Sequence, residues 1–429
     1  MKKEKIIAFG LGTANRGEQS QLLGALKAIA LNTKNTFNEK KQILLPIGIK
    51  KIEDMRENFY CSKYKNYKMF KKDIFLILDR YFEANKIIPR VFVTVFNQAL
   101  NENAATDADA TCRVIKEYYD EHNLGYIFTT VLTAKYYKYK YVDLINIPKH
   151  LLTFSTRIKL LNNKSLKKKS LITVGTINNF SKDNVIEKYD ELLKNIKTLK
   201  NDVKLKSLNL KLERFLKAKK HIVFCLGGRV EGPEISFDIK YAKKIFEEAK
   251  RLTNCGYNII FVNGPRTPNN VTDFLFELCL NEDNIIFYNC KNIAKTDDER
   301  GASKWRIYSG KYENEFLVQQ KYGNIYPGIL GVKNTLVVHT FDSYSGCETT
   351  VVGIPTALSH KGLFIDKDIR YDCHNLVALL IPKYAIDWDE FFTLALNMKL
   401  EPKHLSPQAL SSSLKVYAEA TINRLKKIL

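Results

Sequence analysis

Glu348 lies in the stretch TLVVHTFDSYSGCETTVVGIP, residues 335–355, where an apolar run gives way to small and hydroxyl side chains before a single carboxylate. Thr335–His339 reads as a buried strand, and Asp342, Ser343, Tyr344, Ser345 and Gly346 as the start of a helix that carries Glu348. Open backbone N–H groups at a helix start, with hydroxyls beside them, suit a diphosphate. An acid about one turn inward can accept from both hydroxyls of a ribose. It equally suits the positive end of the helix dipole with no ligand at all.

Two more loops follow apolar runs in the same half of the chain. After His221–Leu226 comes Gly227-Gly228-Arg229-Val230-Glu231-Gly232. Paired glycines let the backbone turn sharply and approach a phosphate, and Arg229 adds a cation. Neither a Walker A loop nor a complete dinucleotide fingerprint is present, so a plain turn competes with that reading. The third loop is Asn263-Gly264-Pro265-Arg266-Thr267-Pro268. Thr267 followed by Pro268 reads as N-cap and first helical residue, which puts Arg266 beside a helix start as an anion contact or an exposed cation. Near the amino terminus the same logic recurs in Gly10-Leu11-Gly12-Thr13-Ala14-Asn15-Arg16-Gly17-Glu18-Gln19-Ser20-Gln21. Glu18 is the candidate general base there, with Gly12, Thr13, Arg16 and Gln21 on the acceptor side; the competing role for Glu18 is a helix-dipole acid.

The elements that must hold these loops alternate along the chain. Strands are expected at Lys5–Phe9, Val91–Val95, Tyr126–Thr130, Tyr141–Ile145, His221–Leu226, Asn258–Val262, Asn284–Tyr288 and Thr335–His339. Helices are expected at Glu18–Ala30, Ala105–His122, Ser236–Leu252, Val271–Leu280 and Pro407–Ile428, the last capped by Ser406. Strands followed by helices of this length imply parallel sheets covered on both faces. In such sheets ligands bind at the strand carboxyl ends. Lys182–Lys220 interrupts the alternation as a lysine-rich helical or loose connector, or as a solvated helix inside one domain. The expected organisation is an N-terminal α/β domain over 1–215, a C-terminal α/β domain over 216–400, and a terminal helix over 401–429 packing back on the first.

Composition narrows the partners. The 429 residues suit two domains of ordinary size. The formal charge of +22 favours anionic partners: nucleic acid, an acidic membrane surface or phosphorylated small molecules. The eight cysteines form no CxxC pair and sit mostly among apolar residues, so neither a metal site nor a disulfide framework is expected, and a cytoplasmic location is. The opening MKKEKIIAFGLGTA reads as a first buried strand, and no apolar run is long enough to span a bilayer. Residues 60–84 join lysines and aromatics to an apolar face, which fits either a membrane-resting segment or core packing with a basic outer face. The run Lys164–Lys169 reads as solvated surface.

In order, these motifs resemble the elongated-mitochondria (mitochondrial fission) family, whose bacterial members resemble GT-B glycosyltransferases. Glu18-Gln19-Ser20-Gln21-Leu22-Leu23-Gly24-Ala25-Leu26 matches the family's first helix at Gln21 and Gly24, with Glu18 where a histidine is usual. Tyr141–His150, Val174–Asn178, Gly227-Gly228, Arg266-Thr267-Pro268, and Asp342-Ser343 with Glu348 and Gly353-Ile354-Pro355 follow in sequence. The family's Gly-Gly-Pro loop is Gly-Gly-Arg here. The resemblance implies a GT-B-like α/β fold, two Rossmann-type doubly wound domains facing across a cleft. It places Glu348 at the nucleotide ribose and Gly227-Gly228 at the donor phosphates.

The activity so implied is metal-independent glycosyl transfer from a UDP-sugar-like donor to an anionic glycan or lipid-linked acceptor, with no cofactor beyond the nucleotide-sugar substrate. The alternative is a non-catalytic GT-B-fold interaction protein at a membrane surface, for which the missing histidine speaks. Peripheral attachment to an anionic membrane fits both. Nucleic-acid binding ranks last, since it rests on net charge alone.

Overall fold

The computed structural model describes residues 6–11, 16–44, 67–95, 107–132, 139–149, 152, 154–199, 202, 205–226, 238–264, 267–290, 292–294, 306–308, 322, 324–340, 356–359, 378–381 and 407–429. The chain divides into two units, Met1–Asn179 with Gln408–Leu429, and Phe180–Pro407.

The first unit holds a six-stranded parallel sheet. Its strands are β1 (Ala8–Leu11), β2 (Ile43–Leu44), β3 (Val91–Thr94), β4 (Phe128–Val131), β5 (Leu144–Pro148) and β6 (Ser170–Thr173), in the order β2-β1-β3-β4-β5-β6. Alternate residues of the central strands enter different cores, as the two-residue period of a strand requires. Phe9, Leu11 and Phe92 pack with α3 (Tyr67–Asn85) and α4 (Asp107–Glu121). Ala8, Val91 and Val93 pack with α1 (Arg16–Asn32) and with Tyr417, Ala418 and Leu425 of the terminal helix α12 (Pro407–Lys426). Burial on both faces is why these strands read as unbroken apolar runs.

Helix α3 decides the reading of its stretch. Phe70, Ile74, Leu78 and Tyr81 recur at helical spacing and are buried, while Lys71 turns outward to Glu117 and Glu121 at 2.9 and 2.6 Å. Residues 67–84 are therefore core packing with a basic outer face; residues 60–66 lie outside the described residues. The short helix α2 (Glu39–Gln42) leads into β2, and α5 (Phe154–Asn162) and α6 (Lys164–Lys169) lead into the edge strand β6.

Polar contacts fix the terminal helix to this unit. The Thr130 and Tyr417 hydroxyls lie 3.1 Å apart in the core. The Ser413 hydroxyl donates to the Val174 carbonyl and accepts its N–H, at 2.9 and 3.1 Å. The Arg424 guanidinium donates to the carbonyls of Lys169 and Ser170.

The second unit holds another six-stranded parallel sheet: β7 (His221–Leu226), β8 (Asn258–Asn263), β9 (Ile285–Tyr288), β12 (Thr335–Thr340), β13 (Thr356–Ser359) and β14 (Ala378–Ile381), ordered β14-β13-β12-β7-β8-β9. A separate parallel pair joins β10 (Asn292–Ala294) and β11 (Arg306–Tyr308). One core cluster gathers Ile222, Phe224, Phe261, Phe287 and Val338 under α9 (Ile239–Asn254) and α10 (Asn269–Leu280).

The remaining helices of this unit are α7 (Lys182–Thr198), α8 (Lys206–Lys217) and α11 (Tyr326–Leu330). Cys225 Sγ lies 3.7 Å from the Tyr326 hydroxyl, and Phe215 of α8 lies against His221. Helices α7 and α11 touch backbone to backbone: a Cβ at Gly328 would stand 2.6 Å from the Lys188 carbonyl oxygen.

The division between units precedes the lysine-rich connector, whereas 215 was the expected boundary. The connector is two amphipathic helices that bury Val185, Leu192, Leu212 and Phe215 within the second unit. Lys211 adds a polar tie, capping the end of α10 at the Cys279 carbonyl, 2.9 Å away. Among the described residues no helix is long and apolar enough to cross a membrane.

Candidate nucleotide site at the strand carboxyl ends

Counted outward in chain order, the second sheet runs 3-2-1-4-5-6, the doubly wound order in which the chain reverses direction between its first and fourth strands. Here those strands are β7 and β12. Their register ends them level: Thr340 pairs with Leu226, and Leu226 with Asn263 of β8. Three adjacent strands thus release their loops from one edge, with neighbouring strand ends about 4.8 Å apart. The loops are those singled out by residue type, beginning at Gly227, Gly264 and Phe341.

Side chains at this edge fasten the strand ends to one another. Thr267, 1% exposed, accepts the Gly264 N–H at 3.0 Å and donates to the Leu226 carbonyl at 2.9 Å. Its hydroxyl therefore ties the turn after β8 to the last residue of β7. This corrects the N-cap reading. Helix α10 begins at Asn269, Pro268 holds the cap position in extended backbone, and no side chain caps the helix. The Thr267 hydroxyl thus serves as a strand-end latch.

Asn263, missed by the sequence reasoning, works likewise between β8 and β9. Its side chain accepts the Cys290 N–H at 2.7 Å and donates to the Asn289 amide oxygen at 2.8 Å. An asparagine closing the apolar run Ile259–Val262 was the available signal, since a buried amide at a strand end must find partners.

Gly227, Gly228, Arg229, Arg266, Asp342, Ser343, Ser345, Gly346 and Glu348 lie outside the described residues. The structure fixes the strand ends from which their loops depart.

The first sheet, ordered 2-1-3-4-5-6, reverses between β1 and β3. Leu11, Thr94 and Val131 end their strands level, so the segment after Leu11 leaves at the first unit's own switch point. Gly12 and Thr13 lie outside the described residues, and Arg16 and Glu18 fall in the first turn of α1, where only the backbone is described. Gln21 is buried, 5% exposed. Beside it, the Ser20 hydroxyl accepts the Asn179 N–H at 3.3 Å. Gly24 lets α1 meet the 176–179 segment, because a Cβ there would fall on the Asn178 carbonyl.

Asp143, part of the Tyr141–His150 motif, is occupied at the opposite, amino edge of its sheet. It accepts the Thr129 N–H at 2.8 Å and pairs with Lys116 at 2.8 Å. Asp109 nearby accepts the Tyr141 N–H at 2.7 Å, and burial raises its pKa. Lys169, which donates to the Tyr139 and Lys140 carbonyls, has its pKa lowered, again by burial. These groups pin the chain entering β5.

No family model matches the chain, and no curated protein matches it. Among solved structures, UDP-GlcNAc 2-epimerase from Neisseria meningitidis bound to UDP-GlcNAc is 12% identical with a TM-score of 0.49, over 97% of this chain and 99% of that one. The N-terminal domain of Candida albicans trehalose-6-phosphate phosphatase has the same identity and TM-score, over 100% and 97%. A family 9 glycosyl transferase from Veillonella parvula is 9% identical with a TM-score of 0.38, over 98% and 99%.

Proposed function

We propose that the protein is a GT-B-type glycosyltransferase that takes its sugar from a nucleoside-diphosphate donor, a UDP-sugar first, held on the second unit. The observation that carries this reading is the 3-2-1-4-5-6 order with the Gly227-Gly228 loop at its switch strand. Glycines there let backbone N–H groups approach a diphosphate. Arg229 or Arg266 and the helix start at 342–346 would stabilise the charge on the leaving diphosphate, which is the work a metal does elsewhere. Glu348 would accept from the ribose hydroxyls. Glu18, at the switch point of the first unit, would take the proton from an acceptor hydroxyl on an anionic glycan or lipid-linked sugar.

The resemblance to the elongated-mitochondria family rests on the ordered motifs quoted for it. Its departures at Glu18 and Arg229 leave a second reading, a non-catalytic interaction protein with the same nucleotide fold.

Calorimetric titration with UDP, GDP, CMP and ADP tests the donor site. Binding of one nucleotide that Glu348→Ala abolishes supports it and selects the sugar nucleotides for turnover assays. Absence of binding at millimolar nucleotide removes the donor site, and the interaction reading then leads.

A further inference from the structure

From Leu144 to Asn179 the first unit contains no acidic residue, and α5 and α6 pack together as one corner within that stretch. Within it, α5 turns Leu160 into the core but leaves Ile158 and Leu161, one helical turn apart, 41% and 69% exposed. Helix α6 buries only Leu166 and exposes Lys164, Lys167 and Lys168. The terminal helix reaches the same corner. Arg424 binds the carbonyls of Lys169 and Ser170, where α6 passes into β6. Beyond Arg424, Lys426, Lys427, Ile428 and Leu429 are all exposed.

Two segments far apart in sequence thus bring basic and large apolar side chains together, and neither 144–179 nor 420–429 carries an acidic side chain. A solvated helix face needs the lysines but not the leucines. A nucleic-acid face likewise gains little from bare isoleucine and leucine. Apolar side chains that enter the acyl boundary, ringed by lysines facing phosphate headgroups, fit a bilayer surface.

We infer that the corner formed by α5, α6 and the end of α12 is a docking face for an anionic lipid bilayer. It moves the membrane-resting segment expected at residues 60–84, whose described part is core, to 157–168 and 426–429. It stands on surface residues of the first unit alone, so it and the donor site fail separately.

The test is co-sedimentation of the full chain with phosphatidylcholine vesicles, with and without phosphatidylglycerol, and with RNA at physiological salt. Wild type should sediment only with phosphatidylglycerol present. Lys164→Glu/Lys167→Glu/Lys168→Glu should weaken vesicle partitioning on the order of a hundredfold or more, since each lysine near such a surface contributes about fivefold. Ile158→Ser/Leu161→Ser should lose about tenfold or more. The charge-matched control Lys240→Glu/Lys243→Glu/Lys244→Glu, on the exposed side of α9, should bind as wild type does. All variants should keep wild-type circular dichroism, because the altered side chains are exposed.

Equal loss in the control would reduce the effect to net charge and overturn the assignment. So would full binding by the serine variant, or a wild type that ignores both vesicles and RNA. RNA binding that the lysine variant loses, without vesicle binding, would assign the face to nucleic acid instead.

Discussion

Replacing Thr267 with valine keeps the branched shape and removes only the hydroxyl. That hydroxyl makes a buried bond to the Leu226 carbonyl and a half-buried one from the Gly264 N–H. A made bond contributes about 1 kcal/mol net, while a buried backbone group left without its partner costs about 1–3 kcal/mol. Loss of the latch should therefore destabilise the second unit by about 2–3 kcal/mol. For a unit of this size that lowers the melting temperature by about 5–10 °C. Thr267→Ser keeps both bonds and removes one buried methyl, worth about 1 kcal/mol. Differential scanning calorimetry of the two variants should rank them wild type, then serine, then valine. A valine variant as stable as the serine one, or more so, would refute the latch. With the nucleotide selected by the titrations above, the valine variant should also bind more weakly, because the turn carrying Arg266 has lost its tie to β7.

Gly24→Ala should cost about 1–2 kcal/mol, since overpacking against the Asn178 carbonyl outweighs the roughly 1 kcal/mol of helix propensity gained; urea unfolding checks it, and an unchanged midpoint would mean α1 can shift freely. Tyr417→Phe should lose about 1 kcal/mol through the Thr130 contact, and a far larger loss in calorimetry would point to a role beyond that pair. His221 is held below its ordinary pKa, first by burial, against the opposing pull of backbone around Phe215, Asn334 and Lys333. Its neutral form is the native one, so above about pH 6.5 it costs nothing. As pH falls below that value the unfolded chain gains a proton the native state resists, and stability drops until the native pKa is passed. His221→Leu should flatten the decline in urea midpoint between about pH 7 and about pH 5; an unaltered slope would assign it to other groups.

What could be read in advance follows from where each signal is stored. His221–Leu226 announces itself because both its faces are buried, so all six residues are apolar or, at the end, an aromatic-packed histidine. β6 did not, because it is an edge strand with Ile172 exposed, directly behind a lysine run. β2, only two residues long, falls below any pattern length. The connector's two helices carried their buried residues at helical spacing, but lysine content masked which unit those residues faced. Thr267-Pro268 has the residue types of a helix start, and local sequence supports that reading. The partner that overrides it, the Leu226 carbonyl, is 41 positions away. A hydroxyl that can serve either a near or a distant acceptor cannot be assigned from its neighbours.

The two edges of each sheet divide the work. At the amino edges, charge is buried and answered within the chain: Asp143 by Lys116 and Thr129, Asp109 by the Tyr141 N–H. The shifted pKa values of Asp109 and Lys169 belong to such structural pins, and His221, also shifted, opens β7 at its amino end. A search for function among these shifted titratable groups would therefore settle on structural pins at the amino edge, opposite the proposed site. At the carboxyl edge of the second sheet, Thr267 and Asn263 are spent on tying together the ends of β7, β8 and β9. Glycine-rich and hydroxyl-rich loops then leave from that edge. Diphosphate recognition needs open backbone N–H groups on a rigid ledge more than it needs a shifted acid. The proposed donor and acceptor sites rest on topology, not titration: strand order puts a switch point at β7 with β12 and another at β1 with β3, the places where open α/β sheets take ligands.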